Sequence, residues 1–254
     1  MPAYAGTARS YGFAGRSALP RTHATQERYR LHAAAIDRSF VCKHWARPLK
    51  APAEHASKLL FDMSAALLLL VGLSPALLTL AFLVWRSGGS PIFGSRRIGA
   101  KGEAFTCWKF RTMVPDAEAR LAQLLATDPE ARAEWNRGFK LKKDPRITPI
   151  GRILRTTSLD EIPQLINVLK GEMSLVGPRP ILPDEAPRYG AVFHDYVRCR
   201  PGITGPWQVN GRNDADYNSR MRLTRDYARN WRFITDCRIL LRTAVIVFRR
   251  SGAY

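Results

Sequence analysis

The sequence predicts an α+β, mostly helical protein: a re-entrant membrane helix-break-helix hairpin, a small cytoplasmic domain and interfacial amphipathic helices. Three observations predict it. An uncharged apolar segment from Met63 to Trp85 is broken in its middle by Gly72, Ser74 and Pro75. Glycine-punctuated, strand-like stretches follow, and then mainly helical patterns. The last apolar run, Ile239 to Phe248, is edged by Arg238, Arg242, Arg249 and Arg250, which places it on a membrane surface or against the hairpin.

In chain order, residues 1–57 are rich in Ala, Arg, Gly and His and poor in periodicity. They read as a basic, disordered tail with a short helix around Gln26–Phe40. The tail lacks the apolar core of a secretory signal, so the bulk of the protein is expected in the cytoplasm.

Residues 58–86 form the anchor. About 23 uncharged residues suffice for a membrane span. Split at Ser74-Pro75, however, each arm has about 11–12 residues, roughly 17 Å, which covers half a bilayer. Arg47, Lys50 and Lys58 precede the segment, and Arg86, Arg96, Arg97 and Lys101 follow it. Basic flanks stay on the cytoplasmic side. A hairpin returns both clusters there, whereas a straight span exports one. Re-entry is the preferred reading, with a proline-kinked span and a buried core helix as the alternatives.

Residues 87–254 form the cytoplasmic domain. Ser87–Met113 reads as a short β-hairpin ending near Lys109, with Lys109 and Arg111 on the face opposite Phe110. Their roles are a solvated strand end or a phosphate contact. Asp116–Trp135 reads as a helix interrupted at Asp128-Pro129, an acidic cap before a proline at the first helical position. Lys140–Arg146 is a basic turn facing head groups or water. Between the turn signals Pro201-Gly202 and Asn210-Gly211, Trp207–Val209 is expected as a short strand. Trp207 itself reads as core, interfacial anchor or stacking platform.

The chain has 254 residues and a net charge of +19, so its partners are anionic. Nucleic acid is disfavoured by the absence of zinc-finger spacing, an RNP-like strand or a helix-turn-helix pattern. The apolar segment points instead to an anionic membrane surface. Cys42, Cys107, Cys199 and Cys237 are too widely spaced to predict zinc or a disulfide framework. His23, His32, His44 and His55 lie in the tail, outside any H-E-x-x-H pattern, and read as solvated.

The chemistry concentrates between Asp144 and Pro180, where Asp160 and Glu161 stand side by side. Adjacent carboxylates repel and require a cation, a proton or a separating geometry. Arg146, Arg152, Arg155 and Arg179 are the nearest cations in sequence, and guanidinium forks suit phosphate oxygens. Mg2+ would complete the set, because it is held by one or two carboxylates plus substrate phosphates. The plainer reading is a capping box from Ser158 to Glu161. Pro163 opposes that reading by kinking the helix it would begin.

These motifs together resemble the monotopic phosphoglycosyl transferases, or bacterial sugar transferase family, which begin glycan assembly on a polyprenol carrier. The resemblance runs from about Ser57 to Tyr254. It rests on Ser74-Pro75, KFRTM at Lys109–Met113, DPRIT-x-x-GR-x-LR at Asp144–Arg155 and SLDE-x-PQL-x-NVL at Ser158–Leu169. MSLVGPRP at Met173–Pro180 and PGITG-x-WQV at Pro201–Val209 complete it. Pro206, where an apolar residue such as leucine is commoner, and Gly94-Ser95, in place of an aromatic-glutamine pair, depart from the pattern. The chain resembles a short form without a multi-span N-terminal domain.

The resemblance implies a re-entrant anchor set by Ser74 and Pro75, and Asp160 as the nucleophile on the sugar-linked phosphate of a UDP-sugar. Glu161 would help hold Mg2+ or manage protons. Lys109, Arg155, Arg179 and Arg212 would contact phosphate or nucleotide. UMP would leave, and undecaprenyl phosphate would take the phosphosugar from the aspartate. The ending resembles exopolysaccharide-initiating members that transfer galactose or glucose 1-phosphate. The implied location is the cytoplasmic face of the bacterial inner membrane, with a homo-oligomer left open. The competing class is a non-catalytic membrane scaffold of polysaccharide synthesis.

Overall fold

The computed structural model describes residues 52–138, 141–210 and 217–249. The expected tail helix near Gln26–Phe40 and the expected phosphate contact Arg212 lie outside them. The described chain is mostly helical, with two small two-stranded sheets.

Helix α1 (Pro52–Arg86) comes first. Among the described residues, its segment Ala56–Arg86 is the one helix long and apolar enough to cross a membrane. The sequence predicts a break at Pro75, yet helical backbone continues through it. Proline cannot donate to the carbonyl four residues back, here that of Val71. Ser74 Oγ supplies the missing donor at 2.7 Å, and Thr79 Oγ1 donates to the Pro75 carbonyl at 2.9 Å. Side chains thus satisfy the backbone around the proline.

Both arms of α1 rest on the domain. Ala65, Ala66 and Leu70 join a cluster containing Leu165, Val168 and Ile239, while Leu77, Leu80, Ala81 and Val84 pack with Phe110 and Leu154. The intervening residues 71–76 are exposed throughout.

Strands β1 (Ile92–Ile98) and β2 (Ala104–Phe110) form the expected antiparallel hairpin, with Ile92 opposite Phe110. Helices α2 (Ala117–Thr127) and α3 (Pro129–Gly138) follow. Asp128 Oδ1 accepts the backbone N–H groups of Glu130 and Ala131, each at 2.9 Å, which is the cap its place before Pro129 predicts. Helix α4 (Pro149–Thr157) and helix α5 (Gln164–Leu169) are separated by a 3₁₀ turn, Leu159–Glu161.

Strand β3 (Ser174–Val176) pairs in parallel with β4 (Gly202–Thr204). Gly177, just after β3, touches Gly202 at the start of β4, where a Cβ on either residue would fall on the other's backbone. Only glycine permits that approach. The short helices α6 (Ala186–Tyr189) and α7 (Val192–Tyr196) bury Tyr189 and Tyr196 against Ile98 and Ile181.

Trp207–Val209 is helical rather than extended, within α8 (Pro206–Val209), and the strand lies just before it. Pro206 takes the first helical position, where its fixed φ favours a helix and its missing N–H costs nothing. Helices α9 (Tyr217–Arg229) and α10 (Phe233–Arg249) end the described chain. Helix α10 buries Ile239 in the cluster shared with α1 and leaves Ile234, Leu241 and Val245 exposed.

A buried polar cluster ties α1 to α10. Lys58 Nζ lies 2.5 Å from Asp236 and 3.6 Å from Asp62. Asp62 also accepts the Ser174 hydroxyl at 2.7 Å and faces Arg200 at 3.6 Å. Asp236 accepts Trp231 Nε1–H at 2.9 Å and lies 2.8 Å from the Tyr227 hydroxyl. The two carboxylates are only 1% and 2% exposed, so these partners are their solvation.

Candidate active site

The adjacent carboxylates sit on the turn between α4 and α5. Thr148 caps α4 by accepting the Gly151 N–H at 2.9 Å, and Ser158 ends the helix in the left-handed region at φ 59°. The capping box, the plainer alternative for Ser158–Glu161, does not form: the Ser158 side chain makes no cap bond. An N-cap side chain works from extended backbone, and Ser158 is not extended. Pro163 stands at the boundary before α5, so it starts that helix instead of kinking one.

Asn167 holds the turn against the hairpin. Its Oδ1 accepts the Trp108 N–H at 3.0 Å, and its Nδ2 donates to the Thr106 carbonyl at 2.7 Å. The side chain thus pairs with the free edge of β2 as a further strand would. That docking brings Lys109 to the carboxylates. Lys109 Nζ donates to Glu161 Oε1 at 2.5 Å and lies 4.0 Å from Asp160 Oδ2.

The two acids are thereby differentiated. Burial pushes the Asp160 carboxyl up to about 6, with the Glu161 charge adding to the rise and Lys109 and Arg155 opposing it. Burial also acts against the Glu161 charge, but Lys109, Arg179 and Arg97 outweigh it and hold that carboxyl below its ordinary value. Glu161 is the settled anion, and Asp160 is the one with freedom to change state.

A cleft opens beside Glu161, lined by Arg97, Cys107, Lys109, Gln164, Arg179, Pro180, Gly202, Ile203 and Gln208. The structure therefore brings Asp160, Glu161, Lys109 and Arg179 together. Arg155 stands behind them, its Nε donating to Thr112 Oγ1 at 2.9 Å, and acts on Asp160 through its charge. Arg146 is bound to Asp144 by bonds of 2.8 and 2.6 Å, a structural pair away from the cleft lining. Arg152 is exposed. Ser74 and Pro75 lie in the exposed middle of α1, away from the cleft lining.

Sequence reasoning missed Arg97, Gln164 and Asn167. Arg97 was counted only as one of several flanking charges. The hairpin register separates it from the exposed Arg96, since alternate residues point to opposite faces. Gln164 is 2% exposed yet lines the cleft, a burial that a motif cannot announce. Trp207, whose default reading was core, stands outside the buried apolar clusters. The Arg179 and Arg220 guanidinium groups each lie 5.5 Å from its ring.

Among the described residues, no group of three or more His, Cys, Asp or Glu gathers as a metal cage. Two adjacent carboxylates beside a cationic cleft still fit Mg2+, which takes one or two carboxylates and completes its shell with water and substrate oxygens. Cys107, Cys199 and Cys237 are free thiols.

An α+β domain carrying one long apolar helix, with Glu161 lining a cationic cleft and Asp160 beside it, has the layout of a membrane-associated, anion-handling class of protein. Within that class the chain belongs to the bacterial sugar transferase family, whose profile matches residues 53–250. It is similar to the undecaprenyl-phosphate galactose phosphotransferase of Salmonella typhimurium, 48% identical over 224 residues that cover 86% of this chain and 47% of the relative. It is also similar to the UDP-galactose-lipid carrier transferase of Erwinia amylovora, 50% identical over 205 residues, covering 80% of this chain and 43% of the relative. The exopolysaccharide production protein ExoY of Sinorhizobium fredii is 43% identical over 199 residues, covering 78% and 88% respectively. The chain thus spans less than half the length of the first two relatives.

Proposed function

We propose that the protein transfers a hexose 1-phosphate, galactose or glucose, from a UDP-sugar to undecaprenyl phosphate, which starts assembly of an exopolysaccharide repeat unit. The observation that carries this reading is the dyad's geometry. One carboxylate is fixed by Lys109 at 2.5 Å and the other is left 4.0 Å away, beside a cleft lined by arginines. The relatives' names supply the acceptor and the sugar class: two name galactose, and another, from Xanthomonas campestris pv. campestris, names glucose 1-phosphate.

In this mechanism an ionised Asp160 oxygen attacks the sugar-linked phosphorus. The bond from that phosphorus to the bridging oxygen breaks, and UMP departs with the oxygen and its electron pair. An acceptor phosphate oxygen of undecaprenyl phosphate then attacks the same phosphorus. The aspartyl–phosphorus bond breaks, regenerating the carboxylate and leaving the lipid-linked diphosphosugar. Lys109 holds Glu161 in place and offsets charge next to Asp160. Arg179 attracts phosphate oxygens, and Arg155 stabilises the ionised nucleophile from behind. Asp160 and Glu161 would hold Mg2+, whose contribution when bound is to neutralise the diphosphate.

Membrane association is supported by the length and apolar composition of α1. A re-entrant anchor is supported by residues 71–76, which stand clear of the domain while both arms rest on it. The basic flanks support a domain on the cytoplasmic face of the inner membrane. There a soluble nucleotide-sugar and a lipid phosphate can meet.

The test is UMP release by purified protein in detergent with Mg2+, undecaprenyl phosphate and a panel of UDP-sugars. Release with a UDP-hexose is expected, and Asp160→Asn is expected to abolish it. Folded protein that releases no UMP from any donor would instead favour a scaffold of polysaccharide synthesis.

A further inference from the structure

Arg97 lines the cleft, and one N–H of its guanidinium is left without a partner. Ile98 donates its N–H to the Ile181 carbonyl at 3.0 Å, which pins β1 beside the segment carrying Arg179 and Pro180. Arg97 Nη1 donates to the Pro180 carbonyl at 3.2 Å, while its Nε is buried with no hydrogen-bond partner. A buried, unpaired guanidinium N–H is unfavourable unless something else occupies that position.

The charge balance says what that occupant is. Of the charged side chains lining the cleft among the described residues, Arg97, Lys109 and Arg179 are cations and Glu161 is the one carboxylate, already bound by Lys109. Arg97 and Arg179 repel one another across the cleft, and the nearby Glu185 is engaged by the Leu182 N–H at 2.7 Å and by Arg220 at 3.4 Å. Glu161 is shared among Arg97, Lys109 and Arg179, so the cleft keeps a net positive charge that suits a further anion.

We infer that Arg97 is a donor-binding residue and that, with Arg179, it holds the diphosphate of the nucleotide-sugar. The inference rests on the transferase reading above and adds a residue and a substrate group to it. Its Nε supplies a charge-assisted N–H to a diphosphate oxygen while Nη1 stays on Pro180, which keeps the fork aimed into the cleft. The acceptor also carries a phosphate, so the experiment has to tell the two apart.

Full-length wild type, Arg97→Met and Arg97→Lys in detergent would be compared in three measurements. Single-turnover UMP release without acceptor reads the donor step alone. Steady-state turnover with varied undecaprenyl phosphate reads the acceptor. Thermal protection by UDP and by uridine reads the diphosphate apart from the base. Losing one charge-assisted bond should raise the donor half-saturation of Arg97→Met roughly tenfold or more. Protection by UDP should weaken while that by uridine and the acceptor KM stay unchanged, and Arg97→Lys should recover part of the loss.

An unchanged donor step in either variant overturns the inference, as does a rise confined to the acceptor KM. Equal loss of UDP and uridine protection overturns it too, because a merely structural role for Arg97 moves both. If Arg97→Met does not fold, the donor step and protection of Arg97→Lys decide alone. Wild type that neither releases UMP nor binds UDP overturns the transferase reading itself, and this inference with it.

Discussion

At the scale of single residues, the informative contrast is between two neighbouring acids that experience different surroundings. Burial raises Asp160 to about 6, while Glu161 is held below its ordinary value by the cations around it. The folded chain therefore binds the Asp160 proton more tightly than the unfolded chain does. Stability contributed at this position is present at low pH and falls as pH rises from the ordinary carboxylate range through about 6. Asp160→Asn, which has no charge to bury, is expected to melt higher than wild type at pH 7.5 in EDTA, by up to about 3 kcal/mol. At pH 4 the two should coincide. Melting curves at the two pH values check this, and an Asp160→Asn midpoint at or below wild type at pH 7.5 contradicts it. Such a trade of stability for reactivity is common where function requires a strained site.

At the scale of elements, helix α1 combines an interior proline with side chains that repair the resulting gap. Ser74 answers the Val71 carbonyl and Thr79 answers the Pro75 carbonyl. Under the re-entrant reading, Pro75→Leu restores an uninterrupted donor ladder and favours a straight span. Single cysteines at positions 57 and 87, in a background without the native thiols, report the outcome. Neither should react with an impermeant reagent outside the cell in the parent, and one should react in Pro75→Leu. External labelling of one position in the parent rules out re-entry.

The elements also show what the sequence made legible. Local signals carried well: the β-hairpin ending near Lys109, the Asp128-Pro129 interruption and the apolar segment all depend on neighbours in sequence. The Trp207–Val209 strand was misread because turn residues on both sides mark a boundary without saying which structure lies between. Of the candidate site, the adjacent acids and their flanking arginines stood out. Among the described residues, however, the closest cation to them is Lys109, which is 52 positions from Glu161 and arrives through Asn167 and the edge of β2. No periodicity encodes such a meeting. Arg146, prominent in its motif, turned out to be paired with Asp144 instead.

At the scale of the molecule, the apolar helix and the cleft are joined through the buried cluster around Lys58. Lys58→Met leaves Asp62 and Asp236 without the ammonium between them. Removing one partner from such a cluster is expected to destabilise the fold by about 3–5 kcal/mol, read as a lower unfolding midpoint in detergent. Lys58→Arg should lose less, and an unchanged midpoint for Lys58→Met would mean that the cluster is dispensable. Ser174 belongs to this cluster and opens the strand leading to Gly177 and Arg179, so the anchor's seating and the cleft's wall share one support.

The sequence separation within that cluster has a consequence for how the protein is made. Lys58 and Asp236 are 178 positions apart, roughly 9–36 s of synthesis at about 5–20 residues per second. The apolar helix leaves the ribosome long before its last ionic partner exists. Under the proposed membrane role, insertion and locking of this helix would be separate events, and the nascent chain would be attached to the bilayer with its proposed catalytic groups still unassembled.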